Sequence, residues 1–217
     1  MGVNLLLTSF FDNTVPNPAA THHFCNQQAM IILRSLREHA CVDFLNTYLA
    51  TLDAGSSWAD SSFKNATHFF NPQTKKGKWY FPHALKRYNH HVAKAQKFAL
   101  LKKYQKTAFY LGAAGHLIQD MCVPHHSNGV LFDGHQTFEN WAYVNREKYV
   151  RCNYSSKPVK LPPTGWLVIN ALKSQKYYPL VSEKSREKNF PQALSFLLPL
   201  AQQSSAGFYH QFIINNI

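Results

Sequence analysis

The chain has 217 residues, of which 45% are hydrophobic and 16% are charged. This length and composition are typical of one globular domain, and they exclude both wholesale disorder and two full-sized domains. No apolar run in the sequence approaches the roughly 18 residues of a membrane-spanning helix. The formal net charge of +12 favours an anionic partner, either a phospholipid surface or a nucleic acid.

We expect an irregular N-terminal segment over residues 1–20 and one helical domain over residues 21–217. The beginning of the chain lacks the basic start and the full apolar core of a secretory signal. It is interpreted either as the remnant of such a signal or as a segment that packs on the domain.

Apolar residues recur at intervals of three and four over residues 21–52. This pattern predicts either one long helix or two helices that break near residues 39–42. Thr21 is a plausible N-cap, so His22 would lie in the first turn and point towards whatever lies at that end. The simpler interpretation of His22 is a solvent-exposed side chain at a helix start.

Residues 73–80 form a basic turn that ends in two aromatic residues, Trp79 and Tyr80. The simplest interpretation of this turn is a solvated loop. The alternative is a contact with an anionic bilayer, with both aromatic rings at the level of the headgroups. Residues 81–106 then predict a basic amphipathic helix, with lysines and arginines opposite its apolar stripe.

A helix predicted over residues 108–121 carries His116 and Asp120 four positions apart. Both side chains therefore project from one face of the helix, about one turn apart. Pro124 is predicted to end the helix and turn the chain, and His126 follows directly after the bend.

The next predicted helix carries His135 and Glu139, again four positions apart. Neutral imidazole and ionised carboxylate are the ligands that Zn²⁺ takes in catalytic sites that keep a position open for water. Either pair alone is most simply a surface hydrogen bond. Five ligand-type residues within 24 positions, in a chain with 12 histidines, instead predict a metal cluster.

Two final helices are predicted over residues 166–178 and 191–216, which gives an all-α fold. We expect a single-domain multi-helix bundle with a metal cleft. The cysteines show no CxxC or zinc-finger spacing, so they are either buried thiols or members of one or two disulfides. The four cysteines are Cys25, Cys41, Cys122 and Cys152.

These motifs resemble the signature of the bacterial zinc-dependent phospholipases C. The resemblance is carried by residues 108–120, by Pro124 with residues 126–128, and by the His-x-x-x-Glu motif of residues 135–139. Residues 67–72, Thr-His-Phe-Phe-Asn-Pro, are similar to a further ligand segment of that family, with Asn in the place of Asp.

The resemblance implies a specific set of metal ligands. The implied ligands are His22, Asp53, His68, His116, Asp120, His126, His135 and Glu139. One ion would take Asp53, His68, His116 and Asp120; a second would take His126, His135 and Glu139; a third would take His22, with Asp120 as a bridge. The resemblance also makes Asp53 the general base. Asp60 is the alternative, because Asp53 matches the family only if one residue is inserted before His68.

The resemblance leaves the third ion dependent on the N-terminus. In the family, an exposed N-terminal tryptophan completes this site, and the sequence has no tryptophan at the corresponding distance before His22. Phe10 or Phe11 would lie at about that distance if the residues before them were removed. Two to three Zn²⁺ ions are therefore expected.

The implied activity is hydrolysis of the glycerol-side phosphodiester of a phospholipid by a metal-activated water. The products would be diacylglycerol and a phosphorylated headgroup. The expected protein is a secreted or exported monomer that acts peripherally on membranes in lipid metabolism, without a protein partner.

Two other classes of protein compete with this interpretation. A zinc-dependent single-strand nuclease or 3′-nucleotidase shares the His-x-x-x-Asp motif and a multi-zinc helical core, and a basic surface suits nucleic acid. A non-enzymatic helical protein that binds metal or membranes is the other alternative. The short gap from His126 to His135 and the glutamate at position 139 favour the phospholipase.

Overall fold

A computed structural model describes residues 19–61, 66–78, 82–150 and 160–217. Within these ranges the chain forms nine α-helices, three short 3-10 helices and no strand, which confirms the all-α prediction. The α-helices are α1 (Ala20–Ser35), α2 (His39–Asp60), α3 (Ala84–Leu100), α4 (Tyr104–Asp120), α5 (Pro124–Asn128), α6 (His135–Asn145), α7 (Gly165–Ser174), α8 (Tyr178–Val181) and α9 (Phe190–Asn216).

Two turns divide regions that the periodicity alone leaves continuous. Residues 21–52 form parts of two helices, α1 and α2, as one of the two alternatives predicted. The break lies at residues 36–38, just before the predicted position near residues 39–42, and Arg37 in this break has a φ of 60°. The basic helix predicted to residue 106 ends at Leu100, and Lys102 has a φ of 53°. Both residues adopt the left-handed conformation, which interrupts a right-handed helix although the side chains on either side keep the helical pattern.

Helix ends also differ from the prediction. Helix α1 begins at Ala20 with Ala19 as its N-cap, so Thr21 lies inside the first turn and does not cap the helix. Pro124 begins the short helix α5, where its fixed φ is favourable, after α4 has already ended at Asp120. The predicted irregular segment lies outside the described residues except for its last two positions.

Helices α2 and α4 run parallel. Near their first turns Phe44 packs on Tyr104, with ring centroids 6.3 Å apart. At their last turns Asp60 Oδ1 lies 4.0 Å from His116 Nε2. The contacts therefore advance together along both helices, and the predicted ligand residues of α4 lie beside the end of α2.

Glycines allow the backbones of α2 and α4 to approach closely. A Cβ atom on Gly112 would lie 1.9 Å from the carbonyl oxygen of Leu52, and one on Gly55 would lie 1.9 Å from that of Phe109. No larger residue fits at either position without moving a helix.

The buried apolar side chains form two clusters. The larger one lies among α1, α2, α3, α4, α7 and α9, and the smaller one lies among α1, α6, α8 and α9. Three cysteines, Cys25, Cys41 and Cys122, are buried free thiols, and Cys152 lies outside the described residues. Among the helices of the described ranges, none has the length and apolar character needed to cross a membrane.

Candidate metal centre

All the predicted ligands except Asp53 converge at one cleft of about 670 Å³, at the end of the bundle where α2 and α4 terminate. Imidazoles and carboxylates from α1, α2, α4, α5, α6 and the segment after α2 line this cleft. They are His22, Asp60, His68, Asp120, His126, His135 and Glu139. His116 lies behind them, fully buried in α4.

Asp120 is the centre of the first group of candidate ligands. Its Oδ2 lies 3.0 Å from His68 Nδ1 and 3.1 Å from His116 Nε2, and its Oδ1 lies 3.5 Å from His22 Nε2. His116 and Asp120 meet because they stand one turn apart on α4. The carboxylate, only 2% exposed, thus faces imidazoles from three separate parts of the chain.

His126, His135 and Glu139 form the second group. Glu139 Oε1 lies 2.8 Å from His135 Nε2 and 3.3 Å from His126 Nε2, and these two nitrogens are 3.1 Å apart. The four-residue spacing on α6 places His135 beside Glu139, and α5 supplies His126. The ring of Phe69 stacks on His126 at 4.9 Å and holds it in place.

The structure places Asp60, and not Asp53, with the first group. Asp60, His68 and His116 bring their ligand atoms within 4.8 Å of one another. Asp53 lies seven residues earlier on the same helix, which corresponds to about 10 Å along its axis. Its carboxylate accepts a hydrogen bond of 2.7 Å from Asn26 Nδ2 instead. Because α2 continues without a break to Asp60, the sequence-based alignment of Asp53 with the ligands does not hold in space.

The family model described as zinc dependent phospholipase C matches residues 21–192. This range contains most of the chain and both groups of ligands. The chain belongs to the zinc-dependent phospholipase C family. No curated protein sequence matches it.

The fold of this family member is similar to those of two clostridial toxins. The alpha toxin of Clostridium absonum has a TM-score of 0.80 and 21% identity, over 93% of this chain and 65% of the toxin chain. The alpha-toxin of Clostridium perfringens from avian strain SWCP has a TM-score of 0.79 and 19% identity, over the same shares of the two chains. The chain therefore spans about 65% of the length of these toxins, and the likeness shows a shared fold.

The residues of this family member fit zinc. His68 Nε2 donates to the carbonyl oxygen of Ala59 at 3.1 Å, which leaves the lone pair of a neutral ring on Nδ1, facing Asp120 Oδ2. In the same way His135 Nδ1 donates to the carbonyl oxygen of Leu131 at 3.2 Å, which leaves its Nε2 lone pair facing a carboxylate. In each case a nitrogen lone pair faces a carboxylate oxygen, so two hydrogen-bond acceptors lie opposite each other. A cation between them satisfies both acceptors.

The electrostatics of the cleft favour zinc-binding protonation states at Asp120, Glu139 and His116. Burial alone would raise the pKa of Asp120, but three neighbouring imidazoles, first that of His116, bring it well below its usual range. The Glu139 side chain is 41% exposed, and its partial burial would raise its pKa, but hydrogen bonds from His126 and His135 lower the pKa. Burial lowers the pKa of His116 to about 4. Burial would also lower the pKa of His68 and His135, but the neighbouring carboxylates of Asp120 and Glu139 raise it. Ionised carboxylates and a neutral imidazole are therefore available at neutral pH.

Two buried residues contact the candidate ligands, and the sequence pattern does not predict this role for either of them. Gln119 Oε1 accepts a hydrogen bond of 2.8 Å from His22 Nδ1. His125 stacks on His135 with ring centroids 4.9 Å apart, and its Nε2 donates to the carbonyl oxygen of Asp133 at 3.0 Å. Each directly precedes a predicted ligand in the sequence, and nothing in the spacing distinguishes such a position from an ordinary core position.

Proposed function

We propose that this protein hydrolyses the glycerol-side phosphodiester of a phospholipid and releases diacylglycerol and a phosphorylated headgroup. The observation that carries the proposal is the convergence of two groups of imidazoles and carboxylates on one cleft, in a chain of the zinc-dependent phospholipase C family. The family match favours this activity over that of a single-strand nuclease.

Three zinc positions follow from the two groups and from His22. The first ion would be held by Asp60, His68, His116 and Asp120; the second by His126, His135 and Glu139; the third by His22 and the bridging Asp120. When bound, clustered zinc ions neutralise phosphate oxygens and lower the pKa of a coordinated water. The protein supplies the fixed carboxylates and imidazoles that hold this charge in the cleft.

Asp60 is our candidate for the general base. Its side chain is 17% exposed and lines the cleft, so it can reach a water beside the phosphate and take its proton. The Asp120 carboxylate is enclosed by imidazoles, and the Glu139 carboxylate lies against both His126 and His135. Asp60 replaces Asp53 in this role, because the Asp53 carboxylate is held by Asn26.

The activity is tested with purified protein supplied with zinc and offered either phospholipid vesicles or single-stranded DNA. We expect release of a phosphorylated headgroup from the vesicles, and we expect a zinc chelator to abolish it. Release of nucleotides from DNA would assign the nuclease instead. If the protein binds zinc but releases neither product, it is a metal-binding helical protein without this activity.

A basic turn is hydrogen-bonded to a loop that reaches the cleft, and together they carry basic and apolar side chains. We define the rim as Lys75, Lys76, Lys78 and Phe132. Phe132 is 77% exposed and lines the cleft, and Lys75 and Lys76 are exposed. Lys78 Nζ donates to the carbonyl oxygen of Gly129 at 3.2 Å, which ties the lysine turn to the loop that carries Phe132. The rim supports an anionic phospholipid surface as the site of action. Trp79 and Tyr80 lie outside the described residues.

We expect the combined change Lys75→Ala, Lys76→Ala and Lys78→Ala to weaken binding to anionic vesicles by up to about 100-fold. Each basic residue near an anionic surface contributes about 1 kcal/mol at moderate salt. Co-sedimentation with vesicles that contain phosphatidylserine measures the effect.

The matched control removes three exposed lysines at the other end of the bundle, Lys102, Lys103 and Lys106. This control lowers the net charge equally but leaves the rim intact. Equal binding by both triple variants would show that only total charge matters and would remove the rim from the proposal. Secretion and the monomeric state stay predictions.

A further inference from the structure

A chain of buried polar side chains runs behind the cleft from Asp53 to His22. It joins α1, α2, α4 and α9, and its interior members are less than 4% exposed. The hydrogen bonds are Asn26 Nδ2 to Asp53 Oδ1 at 2.7 Å, Tyr209 hydroxyl to Asn26 Oδ1 at 2.6 Å, Gln119 Nε2 to Asn26 Oδ1 at 2.9 Å, Gln119 Nε2 to Ser205 Oγ at 2.9 Å, and His22 Nδ1 to Gln119 Oε1 at 2.8 Å.

The carboxylate of Asp53 gives this network a single direction. An ionised carboxylate only accepts hydrogen bonds, so the amide nitrogen of Asn26 must face Asp53. The amide oxygen of Asn26 is then turned the other way, where it accepts from Gln119 Nε2 and from the hydroxyl of Tyr209. The orientation of one amide therefore fixes the orientation of the next.

The orientation of Gln119 determines where His22 carries its proton. Gln119 Nε2 donates to both Asn26 and Ser205, so its Oε1 is left to accept from His22 Nδ1. With the proton on Nδ1, a neutral His22 has its lone pair on Nε2. That atom lies 3.5 Å from Asp120 Oδ1, which also only accepts.

We propose that Gln119 is a positioning residue that holds His22 in the Nδ1-protonated form and aims its Nε2 at Asp120, ready for the third zinc ion. Asp53 is the anchor of this arrangement. The inference rests on the proposed ligand roles of His22 and Asp120. It deepens the proposed function by assigning the third zinc position a support within the buried network.

The test measures the protonation form of His22 and the binding of zinc alone. In metal-free wild-type protein, long-range ¹H–¹⁵N NMR is expected to place the His22 proton on Nδ1. The variant Gln119→Met keeps the approximate side-chain length but removes the acceptor. We expect it to lose this preference and to bind its third zinc about 10- to 100-fold more weakly, while the other two ions are retained.

Gln202→Met is the matched control. Gln202 is an equally buried glutamine on α9 whose amide donates to the carbonyl oxygen of Tyr149 at 3.0 Å. We expect this variant to bind three zinc ions as the wild type does. If both variants lost the third ion to a comparable extent, the loss would reflect general loosening of the core. That result would overturn the proposal.

Two other results also overturn the proposal. One is a wild-type His22 that carries its proton on Nε2, and the other is an unchanged zinc titration in Gln119→Met. The wild-type NMR measurement decides the matter even if the variant does not fold. Since neither readout is catalytic, an absence of phospholipid hydrolysis would count against the proposed function and leave this inference standing.

Discussion

Replacing Asp120 by asparagine is expected to abolish zinc binding at the first and third positions and to reduce hydrolysis by at least about 1,000-fold. The carboxylate faces His22, His68 and His116 at 3.0 to 3.5 Å, so within the described ranges it links more of the candidate ligands than any other side chain. An amide removes the negative charge and presents two protons to imidazole lone pairs. Loss of several kcal/mol of charge stabilisation corresponds to a rate effect of this size.

Zinc content by atomic absorption and headgroup release from vesicles measure this prediction. Asp43→Asn is the matched control, because Asp43 is an exposed aspartate on α2 and the change in side chain is the same. We expect the control to retain zinc and activity. If Asp120→Asn kept its zinc and its rate, the first group of residues would not be the metal centre.

Replacing Asp60 by asparagine is expected to lower the rate by about 100- to 10,000-fold while most of the zinc remains bound. This range is what a positioned general base contributes to catalysis. His68, His116 and Asp120 still provide three ligands for the first ion. The substitution therefore removes the proton acceptor, while the zinc ion largely remains bound. Single-turnover hydrolysis and zinc content, measured on the same preparation, separate the two effects.

Asp53→Asn provides the comparison for Asp60→Asn, because both aspartates lie on α2 and either one fits the sequence. We expect Asp53→Asn to retain far more activity than Asp60→Asn, since its carboxylate contacts Asn26 and lies outside the candidate metal groups of the described residues. A larger loss of rate in Asp53→Asn than in Asp60→Asn would return the role of base to Asp53. Parallel loss of zinc and activity in Asp60→Asn would make it a ligand only.

The local patterns were sufficient to place a candidate ligand pair that lies within one helix. His116 with Asp120, and His135 with Glu139, are one turn apart on α4 and α6, and the four-residue spacing alone places each pair on one face. The same reasoning failed for Asp53 and Asp60. Both fit a ligand role by distance along the sequence, and the choice depended on how far α2 continues before the chain turns back to His68.

The sequence by itself determined the helical class and the family and indicated most of the candidate ligand residues, because helix periodicity and ligand spacing are local properties of the chain. Only the tertiary structure decided which aspartate joins the cluster and how Gln119, Asn26 and Tyr209 support His22. These contacts join residues up to 183 positions apart, and they form because glycines let α2 and α4 pack closely while α1 and α9 cover them. Long-range packing of this kind depends on side-chain volumes throughout the core, which no short motif records.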